Sequence, residues 1–248
     1  LRATVVPSLA FVLSLSLFLF LYSDHEGLVL ALIATCTCMA ACTLAAGSVT
    51  RQATLAAISS LALASLLLGS AVGLWLHVAH MKRFWWLYHG AKYDAVNPFD
   101  ASLDADNVAI IEFVTSAVID TSYTLGYLAK GSIFCVAPVL PGAGVLSKPV
   151  LYWAVGTDCC DRRSNFACGG AAKTSTVSAV VEKLDGTFSR AVMQAASVYG
   201  LKASSTPRLV RFVEHPTSVL AEIWKETSTI AVMAVLIHLL LSIIASFT

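Results

Sequence analysis

The residues best suited to chemistry in this sequence are four clustered cysteines. Cys159, Cys160 and Cys168 lie in the stretch TDCCDRRSNFACGG, and Cys135 precedes them in SIFCVAPV. Cysteines can form disulfides, ligate zinc or act as nucleophiles, depending on their compartment and their surroundings. An even number of clustered cysteines is typical of a disulfide framework in an oxidising compartment.

The spacing of these cysteines favours two disulfides. Adjacent residues on a strand point to opposite faces, so Cys159 and Cys160 should bond to different partners. The preferred pairing joins Cys160 to Cys168, which closes the DRRSNFA loop, and Cys135 to Cys159. A zinc site is the alternative, but structural zinc sites usually contain cysteine pairs separated by two to four residues. The CC pair followed by seven residues and a cysteine fits that spacing poorly, so we predict no metal.

A second candidate is the histidine in the last apolar run, VLIHLLLSII. Polar side chains at bilayer depth are costly and often functional, and imidazole is a common axial ligand of haem iron. One hypothesis is therefore that His238 binds haem or, through its magnesium, chlorophyll. The favoured alternative needs no cofactor: His238 would hydrogen-bond to a serine or threonine of the third apolar run, such as Ser65.

Other patterns argue against several functional classes. The sequence contains no GxGxxG, P-loop, GxSxG or HExxH motif, and we predict no enzymatic activity. The net charge is only +1, which gives no reason to expect nucleic-acid binding. The apolar runs lack Asp, Glu, Lys and Arg, which transporters and proton pumps normally place inside the bilayer. Cys36, Cys38 and Cys42 in the second run are interpreted as small packing residues.

The composition predicts a membrane protein that positions these residues on helices. The chain is 57% hydrophobic and 12% charged, about half the charged fraction of ordinary soluble domains. About 20 apolar residues cross a bilayer as a helix, so we predict an all-α bundle of four transmembrane helices at 3–22, 27–49, 53–79 and 228–247. The first run could be the core of a signal peptide, but its length and its short link to the second run favour a retained span. Because the sequence begins at Leu1 rather than at a methionine, we read no targeting signal from it.

The residues between the third and fourth runs are predicted to form a small disulfide-braced α+β domain. The chain would then divide into 1–79, 80–227 and 228–248. Strands are expected in VAIIEFVTSAVI, SIFCVAPV and VLYWAVGTDCC, and RLVRFVE is a short strand or a helical turn. A helix is expected over Asp185–Gly200, and a second helix with Pro216 near its start should continue into the fourth span.

The orientation of the inserted domain depends mainly on its cysteines. Arg2 and Arg51 favour one side as cytoplasmic, stromal or matrix, and place the SDHE link and the domain opposite. Lys82 and Arg83 oppose this assignment. Because disulfides persist in oxidising compartments, we expect the domain in a lumen, in an intermembrane space or outside the cell.

Aromatic residues cluster where the third run ends. Amphipathic aromatic rings accumulate in the headgroup layer of a bilayer. We therefore predict contact with lipids through a set of membrane-interface anchors: Trp75, Trp85, Trp86 and Tyr88.

Four stretches of the inserted domain resemble a set of uncharacterised four-span membrane proteins of dinoflagellates and related alveolates. These stretches are VIDTSYTLGYLAKGSIFCVAPV, YWAVGTDCCDRRSNFACGG, SRAVMQAASVYGL and RLVRFVEHPTSV. The resemblance implies four spans with a cysteine-containing exoplasmic domain, and it implies no activity and no catalytic residue. The four spans and the adjacent cysteines also resemble tetraspanins, by analogy only, because Asp161 stands where tetraspanins have glycine.

Three functional hypotheses follow from the sequence. The leading hypothesis is a non-catalytic accessory or scaffold subunit of a larger membrane complex, such as a photosynthetic or respiratory one. Its partners would be other membrane protein subunits and lipids. The second hypothesis is a cofactor-binding protein that uses His238. The third is a tetraspanin-like organiser at the cell surface or in vesicles.

Overall fold

The computed structural model describes residues 2–100, 107–142, 148–172, 176–183 and 185–247. The chain divides into two compact units, a helical one made of Leu1–Trp86 with Leu220–Thr248, and a second one made of Leu87–Val219. The Pro, Gly, Asp and Asn residues of NPFDASLDADN and LPGAGVLSKP predict two loops, and both stretches fall partly outside the described residues. The helices are α1 (Arg2–Phe20), α2 (Glu26–Val49), α3 (Ala53–Leu76), α4 (Lys82–His89), α5 (Gly186–Tyr199) and α6 (Pro216–Phe247).

By length and composition, three helical stretches of the described chain could cross a membrane. They are Glu26–Val49, Ala53–His89 and Pro216–Ala245, with mean hydropathies of 2.2, 2.0 and 2.4. The middle stretch continues from α3 through one π-helical turn at His77–Met81 into α4. The last begins twelve residues before the predicted 228, because Pro216 starts a helix that does not break before the apolar run, as the sequence indicated.

The prediction of four spans is wrong in its first element. The apolar part of α1 is only Thr4–Phe20, and the chain turns away from the helix at Leu21. At 1.5 Å per residue these 17 residues extend for about 26 Å, which is shorter than the hydrocarbon core of about 30 Å. Much of α1 is instead buried against other helices of its unit, through Phe11, Leu15 and Phe18.

One face of α3 brings the helices of this unit into close contact. Gly69 and Gly73 are spaced four apart and are buried. A Cβ at Gly69 would lie 2.2 Å from Ser14 Oγ, and one at Gly73 would lie 2.9 Å from the Cβ of Phe18. Small residues at this spacing let helices approach closely where no hydrophobic effect drives them together. The glycines therefore determine how near α1 can lie to α3.

The second unit contains a larger sheet than the sequence indicated. Its described strands form an eight-stranded mixed sheet in the order β1-β2-β7-β8-β6-β5-β3, with β4 also paired to β5. Strands β1 with β2 and β6 with β8 are parallel, and the other pairs are antiparallel. The strands are β1 (Ala91–Val96), β2 (Val108–Phe113), β3 (Val118–Ile119), β4 (Leu125–Ala129), β5 (Ser132–Leu140), β6 (Val150–Thr157), β7 (Ser178–Glu182) and β8 (Ala203–Phe212).

Two different coverings bury the two faces of this sheet. Helix α5 covers one face, where Ala191, Val192 and Ala195 pack with Trp153 and Leu209. The other face packs against the cysteine-containing segment, since Phe166 and Cys168 belong to the same buried cluster as Ile111, Phe113 and Phe212. The central strands are therefore apolar on both faces, which explains the continuous hydrophobic runs in β5 and β6.

Helix α5 follows the predicted bounds closely. It begins after Asp185, whose side chain makes no capping hydrogen bond, and it ends at Gly200 with φ +65°. A residue in the left-handed region is a common end of a helix, and glycine adopts it without steric cost. The expected Gly200 stop is confirmed.

We expect Gly69→Ala to destabilise the helical unit by about 1–3 kcal/mol, because the added methyl must displace Ser14 or the carbonyl of Phe11. The measurement is thermal unfolding in detergent, followed by circular dichroism. Gly27→Ala is the matched control, since apart from its chain neighbours and its own helix backbone no described atom lies within 4 Å of its Cβ position. Equal melting temperatures for the two variants would contradict the role of Gly69.

Candidate functional site

The cysteine cluster is built at the end of the β5–β6 pair. Cys135 in β5 lies opposite Gly156 in β6. Beyond Thr157 the Asp158 carboxylate accepts a hydrogen bond from Ile133 N at 2.7 Å, and Asp158 N donates to Ile133 O at 2.8 Å. Asp158 has φ +55°, so the chain leaves the strand there and carries Cys159 and Cys160 over the sheet.

All four domain cysteines are at disulfide distance, but the expected pairing is wrong. The bonds are Cys135–Cys160 and Cys159–Cys168. Cys159 and Cys160 do take different partners, although both lie beyond the end of β6 and not on the strand that the prediction assumed. The partners are exchanged because Ala167 N donates to Cys159 O at 2.9 Å, which brings Cys168 beside Cys159 and leaves Cys160 facing Cys135.

Gly156 provides the space for these sulfurs. A Cβ at this position would lie 2.5 Å from the Sγ atoms of both Cys159 and Cys168. These distances are far below van der Waals contact, so a side chain and this disulfide cannot both occupy the site. The sequence signal was the Gly in YWAVGTDCC, which the strand prediction treated only as part of a strand.

The polar loop between the cysteines is held against β4. Gly126 N donates to Arg162 O at 3.0 Å, and a Cβ at Gly126 would lie 2.8 Å from Asp161 O. Within the loop, Asp161 N donates to Ser164 O at 3.0 Å, and the Asn165 side-chain amide donates to the Asp161 carboxylate. Asp161 and Asn165 therefore give the loop a defined shape, although their side chains are exposed.

The two disulfides contribute substantially to the stability of a unit of this size. Their partners are 25 and 9 residues apart, and chain entropy then predicts about 3.5 kcal/mol for the first bond and about 2.5 kcal/mol for the second. Typical domains are stable by about 5–15 kcal/mol in total. The cluster is therefore a main determinant of the folded state of this unit.

A polar pair, buried Tyr152 and half-buried Arg208, lies on the same face of the sheet as the cluster. Arg208 donates to the Tyr152 hydroxyl at 3.2 Å, and that hydroxyl donates to Asp100 O at 3.4 Å. Burial raises the pKa of Tyr152, and the charge of Arg208 partly offsets this effect. Tyr152 therefore stays neutral at physiological pH and serves as a hydrogen-bonding core residue.

His238 lies at a contact of three helices in the helical unit. Its Nε2 is 2.9 Å from Ser65 Oγ of α3, and its ring stacks on Phe11 of α1 with centroids 4.2 Å apart. Its Nδ1 is 3.5 Å from Ser242 Oγ. The hydrogen bond to Ser65 named from the sequence is thus present. A metal ion bound at either ring nitrogen of His238 would have to displace a serine hydroxyl.

The predicted membrane anchors occupy different environments. Trp75 and Tyr88 are exposed, as an anchor requires, whereas Trp85 and Trp86 are half-buried. The Trp85 indole donates to Leu19 O at 3.0 Å, so this ring links helices within the unit. Cys36, Cys38 and Cys42 are free and exposed.

His77 ends the third apolar run, and the sequence favours an interfacial position for it. His77 lies in the π-helical turn and is buried, with its ring edge-on to Tyr22 at 4.9 Å. Its Nδ1 has no hydrogen-bond partner among the described residues. His80, three residues on, lies 3.7 Å from the carboxylate of Glu226. Two histidines three apart at the end of an apolar run were the available signal.

Comparison with known proteins identifies no relative: no family model, no curated protein and no solved structure matches this chain. The likeness to alveolate membrane proteins and the analogy with tetraspanins therefore stay predictions.

Gly156→Ala should prevent or slow formation of the Cys159–Cys168 bond, because the methyl occupies the position of the sulfurs. We expect a loss of about 2–3 kcal/mol, close to the value of that crosslink. Mass spectrometry of unreduced peptides measures the pairing. Gly186→Ala, whose Cβ would meet no described atom within 4 Å, should retain both bonds. Normal pairing in Gly156→Ala would refute this account.

The contact of His238 with Ser65 should appear as a coupling energy. We expect Ser65→Ala and His238→Leu each to destabilise the helical unit by about 0.5–2 kcal/mol, and the double variant to cost less than their sum. Unfolding of the wild type, the two single variants and the double variant in detergent measures this coupling energy. Ser242→Ala is the matched control, since its 3.5 Å contact is weaker. Strict additivity of the Ser65 and His238 effects would show that the hydrogen bond carries no energy.

Proposed function

We propose that this protein is a non-catalytic integral membrane subunit that serves as an accessory or scaffold component of a larger membrane complex. Its disulfide-containing unit would lie in an oxidising compartment, and its membrane partner would pack on α2. The observation that carries the proposal is the unequal character of the exposed helix faces. The partners of such a subunit would be other membrane proteins and lipids.

Helix α2 has two stripes with spacings of three and four residues. The stripe that is buried or half-buried packs on α3 and ends at Gly47, where a Cβ would lie 2.9 Å from Ala56 N. The second stripe consists entirely of small residues, and every member is exposed: Ala31, Ala34, Cys38, Ala41, Ala45 and Ser48.

The exposed surface of α6 is very different from this second stripe. It carries large aliphatic side chains, which are well suited to lipid acyl chains: Val232, Met233, Leu236, Ile237, Leu240, Leu241 and Ile244. In a bilayer, helices associate through close packing, and small residues allow that packing. A continuous small-residue stripe on α2 is therefore better explained by a neighbouring helix than by lipid.

The two disulfides support the proposed location of the sheet unit and its proposed role as a contact surface. Two disulfides are typical of a lumenal, intermembrane-space or extracellular location. They brace a broad sheet in which half-buried Arg208 hydrogen-bonds to buried Tyr152. Such a braced unit is suited to presenting a fixed surface to a partner.

The test is co-purification from native membranes with a tagged chain. We expect the wild-type protein to migrate as part of a larger assembly in mild detergent, and Ala41→Leu to reduce recovery of the partner at least severalfold. Ala46→Leu is the matched control, because it adds the same bulk at an exposed position outside the stripe.

Two outcomes would contradict the proposal. One is a wild-type chain that purifies alone as a monodisperse monomer. The other is equal partner recovery with Ala41→Leu and Ala46→Leu. A haem or chlorophyll spectrum in the purified chain would instead favour the cofactor hypothesis for His238.

A further inference from the structure

The two disulfides of the cysteine cluster lie against one another. The Sγ atoms of Cys135, Cys159 and Cys168 are all within 4.8 Å of each other, although they belong to two different bonds. The fourth sulfur, that of Cys160, is bonded to Cys135. The fold therefore brings three sulfurs from one strand and one loop close together, and the bond to Cys135 holds the fourth beside them.

This spacing is close to that of a tetrahedral metal site. Zinc binds thiolates at about 2.3 Å, which places the four sulfurs of a tetrahedron about 3.8 Å apart. If the two bonds were reduced, bonded sulfurs would separate towards that distance, while the sulfur of Cys135 is already within 4.8 Å of those of Cys159 and Cys168. Cys160, which starts at bond distance from Cys135, would supply the fourth sulfur.

The surroundings of the sulfurs also suit a soft metal. Cys135 and Cys168 are buried, and half-buried Cys159 and Cys160 leave a route from solvent. Because Gly156 has no side chain, the sulfurs of Cys159 and Cys168 lie directly against β6. A donor set made only of thiolates selects zinc over hard cations such as magnesium and calcium.

The irregular spacing of the four cysteines in the sequence does not prevent them from binding one metal ion in this fold. Pairs separated by two to four residues are needed where one short loop must supply two ligands. Here the register of β5 with β6 places Cys135 opposite Gly156, and the Ala167 hydrogen bond to Cys159 returns Cys168 to the same point. Sheet and loop together replace the usual chelating loop.

We infer that the reduced cysteine cluster is a tetrathiolate zinc site, with Cys135, Cys159, Cys160 and Cys168 as its ligands. Each disulfide takes two electrons and two protons from a dithiol reductant, which itself becomes a disulfide, and four thiols result. Zinc then displaces the four thiol protons, which pass to solvent. The domain thus has a second staple in place of the crosslinks whenever its cysteines are reduced.

The experiment uses the full chain in detergent with Cys36, Cys38 and Cys42 changed to serine, so that no other thiol can bind metal. The chain is reduced without oxygen by a phosphine, which takes up an oxygen from water to give its oxide and is then removed. Co²⁺ is added in steps, because tetrahedral cobalt thiolates absorb strongly in the visible. We expect the bands to saturate at one Co²⁺ per chain and to be abolished by one equivalent of Zn²⁺.

Two controls make the result decisive. The unreduced chain should give no cobalt bands, since disulfide sulfurs are not ligands. Cys168→Ser in the same background should lose the one-to-one saturation after reduction. Absence of thiolate bands in the reduced chain, a stoichiometry other than one, full bands without reduction, or unchanged saturation in Cys168→Ser would each overturn the inference.

Discussion

Close approach at positions without a Cβ is the constraint on which both units of this protein depend. In the helical unit, α1 and α3 meet at Gly69 and Gly73, where the smallest possible side chain would already overlap its neighbours. In the sheet unit, the Cys159–Cys168 bond occupies the space above Gly156. Both contacts bury atoms that would otherwise be separated by the thickness of a methyl group. Dispersion interactions fall steeply with distance, so these few positions have a large effect on packing.

In the helical unit, close approach allows polar groups to be satisfied without water. His238, Ser65 and Phe11 come from three helices and meet within hydrogen-bonding or stacking distance. An unsatisfied imidazole in an apolar environment costs several kcal/mol, so the serine hydroxyl favours one arrangement of the helices over others. Polar residues of this kind specify which helices are neighbours, while the glycines determine how near they lie.

Local sequence predicted those elements that depend on local patterns. The apolar runs after residue 26, strands β5 and β6, and the Gly200 end of α5 follow from composition, β-branched content and capping. Strands β1 and β7 were missed because AKYDAV and SAVVE are short, and only pairing with distant β2 and β8 makes them strands. The length of α1 was overestimated because Leu21 and Tyr22 are apolar enough to continue the run but turn instead.

In the candidate site, too, local features were predictable from the sequence and features that depend on distant contacts were not. Sequence was sufficient to identify the four cysteines, and it gave different partners for Cys159 and Cys160 although neither lies on the strand that this expectation assumed. It was insufficient for the pairing, which depends on a backbone hydrogen bond from Ala167 and on the register that sets Cys135 beside Gly156. Neither contact leaves a pattern in the residues between them.

The adjacency of Cys159 and Cys160 has a mechanical consequence. Through the two disulfides, a covalent path runs from Cys135 to Cys160, across one peptide bond to Cys159, and on to Cys168. Tension applied along the chain would travel this short route and bypass the backbone of β6 and the loop on either side of it. In a fully unfolded domain, the bypassed backbone would remain in rings closed by the two disulfides. These rings would not add to the extended length of the domain.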